Sequence, residues 1–291
     1  SVLVVSGNWT IDMLAEMAAG VTSVIDGVDG LSCNDRYGFL VNKNFVTSLF
    51  VGAGKSIVAK DKDDIPYLSI VTDAESSATV FTKIYDLVND STICGRIDDA
   101  NGSYYTTAVA SGQTVWDAAT KSVANKLALF RSMAVIDVLD LGEYECNYGI
   151  IPIPKLNAEQ ESYHSLVSTI YATCVAIPKS CSDMEKSSVI AQAMCEASTD
   201  TTKNAYFNII LKLRKMQDDE SGAMLDKIFD DRVYDLGVIY NWGGTSAYDM
   251  KSVANFMSDI AFSGSQTYAS TLESIKSAAQ TAMEATVEAY K

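Results

Sequence analysis

The chain has 291 residues, 48% hydrophobic and 20% charged, an ordinary globular composition far from the polar, highly charged one that keeps chains unfolded. Its length suits two structural units with a sizeable core. With 22 basic against 37 acidic side chains and a net charge of -15, it repels nucleic-acid phosphates and anionic lipid surfaces at long range, so nucleic acid is not the partner to expect.

No apolar run approaches the roughly 18 residues that a membrane-spanning helix requires, and the opening SVLVVSGNW has no basic stretch of the kind that begins a signal peptide. The chain is expected to be soluble. Cys33, Cys94, Cys146, Cys174, Cys181 and Cys195 form no C-x-x-C pair, which leaves zinc-ribbon and thioredoxin readings without support. Cys174, inside TCVAIP, reads as a small core residue; whether it pairs with Cys181 stays open.

In chain order, the first helix is predicted to begin at Thr10, with Ile11, Leu14, Ala15 and Ala18 on its inner face. Tyr37 to Val41 reads as a strand. Thr72 with Glu75 is a capping pair ahead of Val80, Phe81, Ile84, Tyr85 and Val88. The polar stretch Asp98 to Gly112 reads as a surface loop, followed by a helix-like run in which Trp116 serves packing. Tyr148 to Ile153 and Thr173 to Ile177 read as strands. Three further capping pairs open helices: Ser182 with Glu185 before Val189, Ile190, Ala193 and Met194; Ser246 with Asp249 before Val253, Phe256, Met257 and Ile260; and Ser270 with Glu273 before Ile275, Ala279 and Met283. The whole is an α/β chain in which helix outweighs strand, without an internal repeat.

Several segments, taken in order, carry a resemblance. GNWTIDMLAEMA (Gly7 to Ala18) is followed by DRYGF (Asp35 to Phe39), and ANKLALFRSM (Ala124 to Met133) by YGIIPIPK (Tyr148 to Lys155). ATCVAIPKSCSDMEKSSVIAQAM (Ala172 to Met194) is followed by DDRVYDLGVIYNWGG (Asp230 to Gly244). In that order they resemble the extracellular solute-binding proteins of ABC importers (family 1, carbohydrate type, Gram-positive lipoproteins). Each also has a plain structural reading: Trp9 and Thr10 set a helix start, and the prolines of YGIIPIPK end an apolar run.

The resemblance implies a two-lobed, helix-rich α/β fold of the periplasmic-binding-protein-like type II class. Residues 1–165 and 241–291 would form lobe two, and residues 166–240 a helical part of lobe one. Members of the family carry a further N-terminal segment of roughly a hundred residues or more, with a lipidated end that holds them on the outer face of the cell membrane. Without it, half of the ligand cleft would be missing. Relatives also carry a calcium-loop-like sequence before D-x-Y-G-F, but IDGVDGLSCNDRYGF places Ile25, Gly27 and Val28 where ligands are needed, so no calcium site is expected.

Enzyme signatures are thin. The single histidine, His164, lies in the polar stretch AEQESYHSLVS and reads as a surface or hydrogen-bonded residue. No G-x-S-x-G, H-E-x-x-H or Walker loop is present. Gly52-Ala53-Gly54-Lys55 lacks the spacing of a phosphate loop and reads as a turn where backbone meets a ligand or another segment. Asp218-Asp219-Glu220 and Asp230-Asp231 are adjacent acids, not a pair facing each other across a glycosidic bond, and read as solvated helix ends.

The family mechanism is capture of a solute, most often a saccharide, between lobes, with aromatic rings on sugar faces and polar groups on hydroxyls. The candidates are Tyr240, Asn241 and Trp242 in YNWGG, where Trp242 either lines a cleft or packs beneath the loop. Phe50 and Gly54 in FVGAGK, and Ser168, Thr169 and Tyr171, form a second tier. The expected partners are a small solute and a membrane permease; the expected chain is a monomeric non-enzyme without cofactor or metal. The alternative is an interaction or sensor module that has lost solute capture, and a carbohydrate-active enzyme ranks last.

Overall fold

The run YGFLV of strand β1 (Tyr37–Val41) is buried at every position, as befits a strand covered on both faces. It sits in the middle of a three-stranded parallel sheet between β4 (Cys94–Arg96) and β5 (Ala128–Arg131). Phe39 pairs with Cys94 on one side and with Phe130 on the other. Two minor ladders complete the strands: an antiparallel pair of β2 (Ala59–Lys60) and β3 (Pro66–Tyr67), and a parallel pair of β6 (Ser165–Leu166) and β7 (Arg232–Val233). This computed structural model describes residues 1–172, 175–206, 219–246, 249 and 251–290, and it is a mixed α/β structure.

The two crossovers of the sheet leave on opposite faces. From β1 the chain runs through helices Phe45–Gly52 and Ala74–Asn89, whose Leu49, Phe50, Phe81 and Ile84 join Phe39 and Val41 in the large core. From β4 it runs through helices Ser103–Ala110 and Val115–Ala124, whose Tyr104, Ala108 and Ala118 join Leu40 in a smaller one. Segment 166–240 contributes Met224, Leu236 and Val238 to the large core. Among the described residues no helix is long and apolar enough to cross a membrane.

The helix expected at Thr10 runs over Ile11–Ala18, with the Thr10 hydroxyl accepting from the Met13 amide at 3.2 Å and Ile11, Leu14 and Ala18 buried. It packs so closely on β1 that a Cβ at Gly38 would stand 2.4 Å from the Ala18 carbonyl oxygen. Gly38→Ala is therefore expected to lower stability by about 1–3 kcal/mol, the usual effect of overpacking, read as a fall in the urea midpoint.

Other sequence expectations need correction. Tyr148 to Ile153 is not a strand. Pro152 and Pro154 offer no N–H to a ladder, and the run is fastened instead to Trp9–Ile11: the Trp9 indole donates to the Pro152 carbonyl at 2.8 Å, the Lys155 amide to the Trp9 carbonyl at 3.1 Å, and the Ile11 amide to the Lys155 carbonyl at 2.9 Å. Thr173 and Cys174 lie outside the described residues, and Val175 to Ile177 is irregular, with Val175 exposed. The polar stretch after Asp98 contains the helix Ser103–Ala110, anchored by the buried Tyr104 and Ala108 one turn apart. Ser246 and Asp249 do not start a helix. The Asp249 carboxylate accepts from Thr245 and Lys251 amides and shapes a turn, and helix begins at Phe256 (Phe256–Phe262).

Ser182 is off by one: Asp183 caps helix Met184–Ser198 by accepting from the Lys186 amide at 2.9 Å. Its apolar residues Val189, Ile190 and Met194 are exposed, not buried. Thr72 ends a short helix, Ser69–Thr72, ahead of Ala74–Asn89, where Val80, Phe81, Ile84 and Val88 are buried. The last helix, Tyr268–Ala289, starts before Ser270 and buries Ile275, Ala279 and Met283 as its spacing predicts.

Candidate functional site

The YNWGG segment is built from the preceding helix. Asp235 stands at the start of helix Leu236–Tyr240, and its buried carboxylate accepts from the amides of Ile57 at 2.7 Å, Gly237 at 2.7 Å and Val58 at 3.3 Å. The helix thereby ends at a fixed place on the core. Asn241 closes it in the left-handed conformation (φ 50, ψ 40), its amide donating to the Gly237 carbonyl; a short amide side chain tolerates that geometry better than most.

The reversal turns Trp242 inward, where it is 4% exposed and its indole donates to the Thr286 hydroxyl at 2.9 Å. Tyr240 lies parallel to it, with ring centroids 4.9 Å apart and planes 2° apart. Unlike Trp242, Tyr240 remains 41% exposed, and its hydroxyl bonds to that of Tyr290, itself an exposed ring. That hydrogen bond, with partial burial, holds the Tyr240 phenol above its usual pKa. Asn241 is used within the loop: its amide donates to the Ser246 carbonyl at 2.6 Å and accepts from the Asn255 side chain at 3.2 Å.

The second-tier residues lie elsewhere. Phe50 is fully buried inside helix Phe45–Gly52 and packs in the large core. Gly54, at φ 79, faces the Gln160 side chain, which donates to the Gly52 carbonyl at 2.9 Å; the turn meets another segment at that place. Ser168 accepts from the Ile170 amide in its own turn, and Thr169 and Tyr171 are exposed. Tyr171 lies within electrostatic reach of Arg131, at the carboxyl end of β5.

What this arrangement offers chemically is a rigid aromatic platform with hydroxyls at its rim. Among the described residues no group of three or more His, Cys, Asp or Glu side chains could hold a metal ion. Asp231 pairs with Lys227 at 3.1 Å at a helix end, whereas Asp218 lies outside the described residues. Reading the sequence missed Asp235, Thr286 and Tyr290, which fix the stack in place. Asp235-Leu236-Gly237 carried a signal in retrospect, a capping acid followed by a glycine whose added Cβ would stand 2.5 Å from Ile57. Comparison with protein-family models, with curated proteins and with solved structures finds no match.

Proposed function

We propose that the chain is the solute-capturing part of an extracellular binding protein of an ABC importer, a two-lobed, non-enzymatic trap that hands a saccharide to a membrane permease. In this reading residues 1–165 and 241–291 belong to lobe two and residues 166–240 to lobe one. The protein works as a monomer held at the outer face of the cell membrane by a lipidated N-terminal region. The observation that supports it is the parallel stack of Tyr240 on Trp242. A sugar face lies flat on an aromatic ring, and a ring already fixed by a second ring, with its hydroxyl held by Tyr290, loses little freedom on binding.

Thermal unfolding with a panel of mono- and oligosaccharides tests this. A bound sugar at about 100 times its dissociation constant stabilises the native state by about 2.7 kcal/mol. Tyr240→Ala is expected to weaken binding about tenfold, or about 1.4 kcal/mol. Trp242→Ala is the poorer control, because Trp242 belongs to the core. If no saccharide moves the melting temperature of the protein that also carries the N-terminal region, the reading fails. The second reading, an interaction or sensor module, then gains from the exposed Val189, Ile190 and Met194 on helix Met184–Ser198.

A further inference from the structure

Arg131 is the last residue of β5 and pairs in register with Leu40 of the central strand. Ligands of open parallel sheets sit outside the carboxyl ends of the strands. At that end, the guanidinium is half-buried and uses one donor, from Nη1 to the Thr120 hydroxyl at 2.9 Å. Its Nε is buried and has no hydrogen-bond partner. The acids nearest in charge do not take it up. Asp137 and Asp140 act on Arg131 through space, and one Asp137 oxygen is engaged by the Ala134 amide at 2.9 Å. The neighbouring backbone is held firmly, since the Ser132 hydroxyl accepts from the amide of Asn42 at 3.0 Å and from its side chain at 3.2 Å. Tyr171, an exposed ring, lies within electrostatic reach of the guanidinium.

We propose that Arg131 is an oxyanion-binding residue, which receives the carboxylate or phosphate group of a small ligand between its Nε and Nη2 donors at the carboxyl end of β5. A guanidinium presents its N–H groups in a planar fork that matches two oxygens of such a group. A buried donor without a partner is the exception in folded chains, and a bound oxyanion gives this one its acceptor. Arg131 supplies the charge, and Thr120 holds one prong of the fork. The proposal does not depend on saccharide stacking at Tyr240.

The test reads Arg131 directly by ¹H–¹⁵N NMR of the arginine Nε–H groups in the native chain, with the signal assigned by through-bond correlation to the Arg131 backbone. Sodium acetate, sodium succinate and inorganic phosphate are titrated separately, with sodium chloride at matched ionic strength as control and maltose as a neutral probe. The expected result is a saturable shift of the Arg131 signal with a midpoint of about 1 mM or below. The acetate and succinate arms against the phosphate arm identify which oxyanion the site takes. In Arg131→Lys the same probe, followed on neighbouring amide signals, is expected to bind at least about tenfold more weakly, because an ammonium cannot form the two-pronged contact. No saturable shift with any of the three oxyanions, or a shift that chloride reproduces, overturns the proposal. Because the titration uses the native chain, it decides even if the variant fails to fold. Maltose is expected to leave the Arg131 signal in place whether or not it binds at Tyr240.

Discussion

Asp235→Ala is expected to destabilise the chain by about 3–5 kcal/mol at neutral pH, with unfolding followed in urea. The carboxylate serves three buried amides from two distant parts of the chain: Ile57 and Val58, which lead into β2, and Gly237 in the helix that delivers Tyr240. Alanine leaves all three without an acceptor, and each unsatisfied buried amide costs about 1–3 kcal/mol, reduced where a water enters. Asp235→Asn keeps one acceptor oxygen and is expected to fall between the two. Burial holds the Asp235 carboxyl above its ordinary value, with the amides pulling the other way. Its contribution is therefore full below the ordinary carboxyl value of about 3.9 and declines as pH rises through the raised one, so the penalty of Asp235→Ala is larger at pH 4 than at pH 7. A loss below about 1 kcal/mol at both pH values would mean that water replaces the carboxylate without strain. The same variant is expected to loosen helix Leu236–Tyr240 and with it the Tyr240 platform, so any saccharide affinity should fall together with stability.

How far the sequence reached follows from what each residue states locally. Thr10 announces its helix because capping and apolar spacing are properties of neighbouring residues, and the structure places the cap bond there. YGFLV announces a buried strand for the same reason. The apolar run Tyr148 to Ile153 looks like a strand, but it is fastened to Trp9–Ile11, and a partner far along the chain leaves no local mark. Helix Met184–Ser198 is legible in its cap, whereas its apolar side is not buried: periodicity shows which side is apolar and not what covers it.

The candidate site divides in the same way. YNWGG drew attention as an aromatic and amide cluster, and its aromatic pair does stack. Which ring faces water is decided by the left-handed Asn241 and by Thr286, residues that say nothing about exposure in the sequence. Phe50 has the opposite outcome, since a helix rather than a loop carries it into the core. Arg131 lies inside ANKLALFRSM, which the sequence offers only as one segment of the family resemblance, with no strand expected there. That its Nε lacks a partner is a fact of three dimensions.

Asp35→Asn is expected to cost about 2–4 kcal/mol at pH 7, with a pH dependence opposite to that of Asp235. Asp35 is fully buried at the turn that leads into β1. One carboxylate oxygen accepts from the Ile25 amide at 2.6 Å and the Asp26 amide at 3.2 Å, and the other from the Ser32 amide at 2.8 Å. Asp26 in turn accepts from the Ser32 hydroxyl at 2.9 Å, and the Tyr37 hydroxyl donates to the Ser32 carbonyl at 2.9 Å. The loop thus closes around a carboxylate through its own amides. Burial by itself would raise the Asp35 carboxyl, but the amides of Ile25, Asp26 and Ser32 outweigh it and hold the group below its ordinary value. Stability from Asp35 is then present above the ordinary value of about 3.9 and is lost as pH falls through the lowered one. Urea unfolding at pH 7, 5 and 3 should show the gap between Asp35→Asn and the native chain steady at the two higher values and smaller at the lowest. A gap that stays constant down to pH 3 would show that asparagine fails through shape alone, because the negative charge would then contribute nothing that protonation removes.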